Sequence, residues 1–195
     1  MKKKTAYKKQ FNISKKNQPT DEPFIFSKLP DDIIWEIKQF IIFKPRCKQE
    51  LIEAINMYYL NINVSNQIYG YISLWDTSLI TDMSYLFRDM RRFNGDISRW
   101  NTCNVTIFNG IFSYATCFNQ PIGMWNTSNV TNMSCMFFRT NQFNQSISNW
   151  DTSKVTDMGC MFSFAKKFNQ PLEMWNTSSV VNMAYMFYVS INFNQ

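Results

Sequence analysis

The chain has 195 residues, enough for one ordinary domain with a small appendage, and 45% of them are apolar, so we expect a packed core. It contains no run of about 18 apolar residues, which argues against a membrane-spanning helix. It contains no histidine, which removes the commonest general base and metal ligand. The net charge is +6, but residues 1–20 hold seven lysines and no acid. The remainder is close to neutral, so we do not expect sequence-specific binding of nucleic acid.

Residues 1–23 are polar and basic, and we predict that they form a disordered tail. The lysines allow two interpretations: the tail is solvated, or it contacts anionic lipid, RNA or a nuclear import receptor. The segment has the positive flank of a signal peptide but no apolar stretch behind it. We therefore expect a cytoplasmic protein.

Residues 24–67 are predicted to form a helical segment. The first helix would begin near Ser27 or Pro30 and end at Lys44-Pro45, with isoleucines and a phenylalanine on one face. The second helix is predicted from Lys48 to Leu60. Because the first unit of a repeat array needs a cover, this second helix is our candidate cap.

The stretch LPDDIIWEIKQF resembles the start of an F-box, a Leu-Pro followed by acids and an amphipathic helix. The resemblance covers about 20 residues, and the later Val-Cys and Trp positions of an F-box are not evident. It implies docking to a Skp-type adaptor of a ubiquitin ligase through Leu29, Pro30, Ile33, Ile34 and Ile37. The alternative is that this helix packs on the repeats or on the helix that follows it.

Residues 68–195 are organised by a 25-residue repeat whose first position is Trp75, Trp100, Trp125, Trp150 or Trp175. Positions 6, 9, 12 and 13 of each repeat are apolar and share one helical face, and Asn/Asp-Thr-Ser before them is typical of a helix cap. The segment FNQxIxxW indicates a short extended piece. The sequence therefore predicts an α/β repeat solenoid, leucine-rich-repeat-like, with one short helix and one short strand per 25-residue coil, preceded by an α-helical cap.

The motifs WDTSKVTDMGCMF and FNQSISNWDTS resemble the BspA-like family of leucine-rich repeats. The resemblance covers residues 68–195, about five repeats with the last one incomplete. Bacterial members of that family are described as surface proteins that adhere to host matrix, so the resemblance implies a binding role. The lead-in to the first repeat is similar to that of eukaryotic and giant-virus members, which favours a protist or giant-virus protein acting inside a cell over a surface location.

A longer period of 50 residues marks a candidate binding face. FNQPIGMW matches FNQPLEMW, and FNGDISRW matches FNQSISNW, so positions 22, 24 and 25 alternate between neighbouring coils. Variable positions on a constant frame usually carry the binding surface of a repeat protein. We therefore predict a partner-binding face on the sheet, with plain solvated surface as the alternative; its residues are Asp96, Ser98, Arg99, Met124, Ser146, Ser148, Asn149, Glu173 and Met174.

These patterns predict a non-catalytic protein–protein interaction protein, and a substrate-recruiting adaptor if the F-box-like helix docks. The alternative is a surface adhesin that binds host or matrix proteins. The carboxylates of the repeat occupy positions that are Asn in other coils, as expected for caps and not for acid–base catalysts, so we predict no enzymatic activity, no cofactor and no metal site. The last coil stops before its Ile and Trp positions, so we expect it to fray or to pair with another copy or a partner.

Overall fold

The computed structural model describes residues 42–195. The predicted tail (residues 1–23) and the F-box-like residues Leu29, Pro30, Ile33, Ile34 and Ile37 lie outside the described residues. Within the described part, two α-helices are followed by five stacked coils, which we number from their tryptophans: residues 75–99, 100–124, 125–149, 150–174 and 175–195.

Helix α1 spans Lys48–Leu60, the range in which the sequence predicts a helix, and α2 spans Ile62–Tyr69. Asn61 separates the two helices because its backbone is extended, and its side-chain oxygen caps α2 by accepting a 3.2 Å hydrogen bond from the N–H of Val64. A single 3₁₀ turn, Ile72–Leu74, then leads into coil 1.

The helical segment is joined to coil 1 by a shared core and by two ion pairs. Leu51, Ala54 and Ile55 of α1 are buried in the same apolar cluster as the coils. Lys48 donates to Asp82 at 2.9 Å, and Lys44 pairs with Asp76 at 2.8 Å. The hydrogen bond from Lys44, followed by those from Ser78, lowers the pKa of Asp76 to about 2.

The prediction of an α/β repeat solenoid with one helix and one strand per coil is wrong. Residues 75–195 contain no helix, and their only parallel pairing is a row of single-residue bridges. Each coil is instead a series of β-turns in which an N–H donates to the carbonyl three residues earlier. In coil 3 the donors of these turns are Val130, Met136, Phe138, Thr140 and Phe143, and Trp150 at the start of coil 4 closes the last turn.

Two left-handed residues in every coil explain why no helix forms. Positions 11 and 15 have φ between 54° and 62° in all five coils, whereas a right-handed helix needs φ near −63°. A helix cannot continue through two such residues four apart. The left-handed residues are Tyr85, Asp89, Gly110, Tyr114, Cys135, Arg139, Cys160, Phe164, Tyr185 and Val189.

The backbone groups of this segment pair with the next coil. In coils 1 to 4 the N–H groups of positions 9, 11, 13 and 15 donate to the carbonyls of positions 8, 10, 12 and 14 of the following coil, at 2.7–3.0 Å. In a helix the same N–H groups would have been satisfied within the coil. Because each coil supplies the acceptors for its neighbour, the buried backbone is paired without regular secondary structure.

The predicted strand FNQxIxxW is also absent, and side chains take the place of a strand ladder there. The side-chain oxygen of each position-20 asparagine accepts from the N–H of the asparagine in the next coil, at 2.9 Å in all four steps. The parallel bridges lie at position 8 instead, within the segment predicted to be helical.

The core prediction is confirmed. Positions 1, 6, 9, 12, 13, 19 and 23 are buried in coils 1 to 3, and in coil 4 all but Leu172 are buried. The position-13 phenylalanines stack 5.5–5.7 Å apart, and the position-19 phenylalanines 5.9–6.0 Å apart. The indole N–H of each tryptophan from Trp125 to Trp175 donates to the position-23 carbonyl 28 residues earlier in the chain. The indole of Trp100 donates in the same way to the carbonyl of Ile72.

We expect Phe137→Ala to lower the free energy of unfolding by about 3–5 kcal/mol, because it leaves a cavity in the middle of a fully buried stack. Denaturant unfolding of the full chain measures this change. Met124→Ala, at an exposed position of the neighbouring coil, is the control and should shift stability by less than about 0.5 kcal/mol. Equal effects of the two substitutions would show that position 13 is not part of the core.

Candidate protein-binding surfaces

The residues predicted to bind a partner lie on a turn and not on a sheet. In every complete coil, positions 23 to 26 form a β-turn that the next Trp N–H closes by donating to the position-23 carbonyl, at 3.0–3.2 Å. We call the surface at positions 22, 24 and 25 the turn face. Seven of its predicted residues are exposed, Asp96, Arg99, Met124, Ser146, Asn149, Glu173 and Met174, and Ser98 and Ser148 are half-buried.

Short-range hydrogen bonds hold the turn face in coils 1 and 3. The Asp96 carboxylate accepts from the hydroxyl and the N–H of Ser98, and these bonds lower the pKa of Asp96. The hydroxyls of Ser146 and Ser148 lie 3.2 Å apart. Side chains at these positions are therefore fixed by their own turn.

Coil 2 approaches coil 3 closely at Gly123. A Cβ atom on Gly123 would lie 2.6 Å from the carbonyl oxygen of Ser146, so only glycine fits. This contact fixes the turn that presents Met124, whose side chain is 87% exposed. Met174, the corresponding residue of coil 4, is 73% exposed. The two thioethers lie two coil steps apart, each step being about 6 Å between stacked rings.

A second surface, which sequence reasoning missed, follows positions 14 and 15. Tyr114, Phe138, Phe164 and Tyr188 form a chain of edge-to-face contacts with ring centroids 5.3, 5.9 and 5.4 Å apart. The guanidinium of Arg139 lies against three of these rings, 4.4 Å from Phe164, 5.5 Å from Tyr114 and 5.7 Å from Phe138.

A groove of about 330 Å³ runs beside this aromatic edge, between the residues at position 15 and those at position 17. Its walls come from all five coils. We call it the cationic groove, because its charged lining residues within the described part of the chain are two arginines and a lysine. The described residues that line it are Arg91, Tyr114, Thr116, Arg139, Asn141, Phe164, Lys166 and Val189.

The cationic groove escaped the sequence analysis because its residues share no repeated chemistry. Position 15 is in turn Asp89, Tyr114, Arg139, Phe164 and Val189, so it reads as an unpatterned surface position. The signal that was available is the run of basic residues at positions 14 to 18, which became meaningful once the coils were known to stack.

A larger cleft of about 530 Å³ lies between the helices and coil 1. Its walls include Tyr58, Tyr59 and Ile62 from the helical segment and Phe93 and Gly95 from the coil. Burial, with a smaller effect of the Asp96 charge, raises the pKa of Tyr58. Among residues 42–195, Arg92 is the only charged residue that lines the cleft.

Within residues 42–195, no helix has the length and apolar character needed to cross a membrane. Among the same residues, no group of three or more cysteine or carboxylate side chains is placed to hold a metal ion.

Comparison with protein families gives a match that covers the residues of the turn face and of the cationic groove. The family described as "Mycoplasma protein of unknown function, DUF285" matches residues 55–150 and again residues 121–195. The chain belongs to the DUF285 family. The two DUF285 matches together take in the end of α1, helix α2 and all five coils.

The DUF285 assignment agrees loosely with the resemblance to BspA-like repeat proteins and assigns no function. The matched ranges begin after the F-box-like residues, so they give that resemblance no support. Comparison with curated proteins and with solved structures found no match.

Proposed function

We propose that the stack of coils is a non-catalytic scaffold that binds a protein partner through the turn face. The observation that carries this proposal is the exposure of Met124 and Met174, 87% and 73%, on turns that the coil stack holds in place. Methionine is apolar, unbranched and adaptable, and it is enriched at protein interfaces.

The surroundings of the two methionines support a protein partner. Asn149 lies at position 25 of the intervening coil and Arg99 at position 25 of the flanking coil, and Glu173 precedes Met174. The methionines therefore alternate with polar side chains along this face, and protein interfaces combine apolar contacts with polar ones. The two methionines are separated by two coil steps, a span that one segment of a partner can cover.

The hydrogen bonds of the repeat carboxylates support the non-catalytic part of the proposal. At position 8, Asp82 and Asp157 accept from the N–H two residues later, and Asn132 and Asn182 make the same bond. Since an amide makes the same hydrogen bond, the negative charge is not required for the turn itself. These aspartates therefore act as turn caps.

We expect a photo-cross-linking residue at position 124 or 174 to capture the same discrete partner in the source cell. The same residue at Leu79, an exposed apolar position outside the turn face, is the control and should not capture it. Mass spectrometry of the adducts identifies the partner. An extracellular matrix protein would support the adhesin alternative, whereas adducts that do not differ between positions 124 and 79 would contradict the role of the turn face.

We further propose that the F-box-like segment makes the chain a substrate-recruiting adaptor, with the turn face holding the substrate. The resemblance of Leu29-Pro30 and the isoleucines that follow to an F-box supports this proposal. It places adaptor docking and substrate binding on different parts of the chain.

We expect a purified Skp-type adaptor to bind the full chain and to lose most of its affinity for the Leu29→Ala/Pro30→Ala double variant. Biolayer interferometry measures both affinities. The Met124→Ser/Met174→Ser variant is the matched control, because it changes the turn face alone and should bind the adaptor unchanged. Absence of binding by the full chain would remove the adaptor proposal and leave the turn-face proposal standing.

A further inference from the structure

We propose that the cationic groove binds an extended acidic segment of a partner protein. This inference adds a partner chemistry to the proposed function, but it depends on a different surface from the turn face. The two proposals can therefore fail separately.

Arg139 is the centre of the groove and is arranged to receive an anion. Three aromatic rings contact its guanidinium, at 4.4–5.7 Å, and fix its orientation. Among residues 42–195 it has no carboxylate partner within ion-pair distance and makes no side-chain hydrogen bond. A guanidinium offers five N–H donors in a planar fork that fits a carboxylate. Because the rings have already ordered the side chain, little conformational entropy is lost when it binds.

The charge of the groove is confined to one side of the coil. Residues 42–195 contain eleven basic and nine acidic residues, a net charge of +2. Positions 14 to 18 hold six of these basic residues, of which Arg91, Arg139 and Lys166 line the groove. They hold a single acid, Asp89, which pairs with Arg88 at 3.4 Å outside the groove lining. An acidic ligand is therefore attracted to this edge in preference to the rest of the stack.

The spacing of the groove fits an extended peptide. Successive coils are about 6 Å apart, and side chains on one face of an extended chain recur every ~7 Å, so each coil step corresponds to about two peptide residues. Three coil steps separate Arg91 from Lys166, and Arg139 lies between them. A peptide of about eight residues with acids at alternate positions can reach all three cations.

The polar lining supplies further contacts, and the aromatic lining disfavours nucleic acid. The side-chain amide of Asn141 makes no hydrogen bond among the described residues and is free to bind a peptide group. Single-stranded nucleic acid is usually held by bases stacking on open aromatic faces. Here Arg139 lies over Phe164 and Tyr114, so those rings are engaged within the protein.

The test is fluorescence anisotropy of the full chain with a labelled peptide of about eight residues in which glutamate alternates with serine. We expect saturable binding that weakens as salt is raised and is lost when glutamine replaces glutamate in the peptide. Arg139→Gln should weaken binding at least about tenfold, because it removes the central charged anchor. Arg139→Lys, which keeps the charge but loses the planar fork, should bind with intermediate affinity.

The controls separate a specific groove from general charge attraction. Arg99→Gln removes a positive charge from the turn face, and Met124→Ser/Met174→Ser alters the same face without changing charge; each should change peptide affinity by less than about twofold. If Arg139→Gln lowers the melting temperature, Arg91→Gln/Lys166→Gln replaces it, since both side chains are exposed at the groove. Failure of the peptide to bind, equal loss with Arg99→Gln, or tighter binding of an oligothymidylate of equal charge would overturn the proposal.

Discussion

The structure depends on the hydrogen bonds that positions 9, 11, 13 and 15 of one coil donate to the next. A series of turns with two left-handed residues cannot satisfy these N–H groups internally, and an unpaired buried N–H costs about 1–3 kcal/mol. Stacking a second coil at the right distance satisfies four of them at once. Each coil is therefore stable only against a neighbour, and stability is shared along the stack, as in other repeat proteins.

The same requirement divides every coil into fixed and variable positions. The phenylalanines and the position-20 asparagines recur because each contacts its own counterpart in the next coil. The tryptophans recur because each indole from Trp100 onward donates to the equivalent carbonyl 28 residues earlier. The side chains of the turn face and of the edge beside the cationic groove lie between these positions and do not stack on an identical residue in the next coil. They can therefore differ from coil to coil, which is how one frame presents two methionines on one surface and a ring-supported arginine on another.

The sequence predicted the period, the core and helix α1, but it misassigned the local structure of the coils. Burial at positions 6, 9, 12 and 13 is produced equally by a helix and by consecutive turns, since both return to one face about every three residues. The left-handed residues could not be predicted, because only Gly110 among the ten is a glycine, the residue type that indicates a left-handed backbone. Residues such as Tyr85 and Cys135 do not indicate that conformation. The groove could not be found before the stacking was known, because Arg91 and Lys166 line one surface only when the four coils from coil 1 to coil 4 are stacked.

The changes in protein stability caused by two substitutions at position 11 test most directly whether the coils are turns with left-handed residues. Gly110 has φ of 58° and Cys160 has φ of 55°. In the turn structure Gly110→Ala should destabilise the protein by at least about 1–2 kcal/mol, because a left-handed alanine is strained and its Cβ would lie 2.5 Å from the ring of Tyr85. Cys160→Gly should leave stability unchanged or raise it by up to about 1 kcal/mol. If these segments were helical, both effects would reverse in sign, with alanine stabilising and glycine destabilising by about 1 kcal/mol. That reversal would contradict the turn-built stack on which both binding surfaces depend.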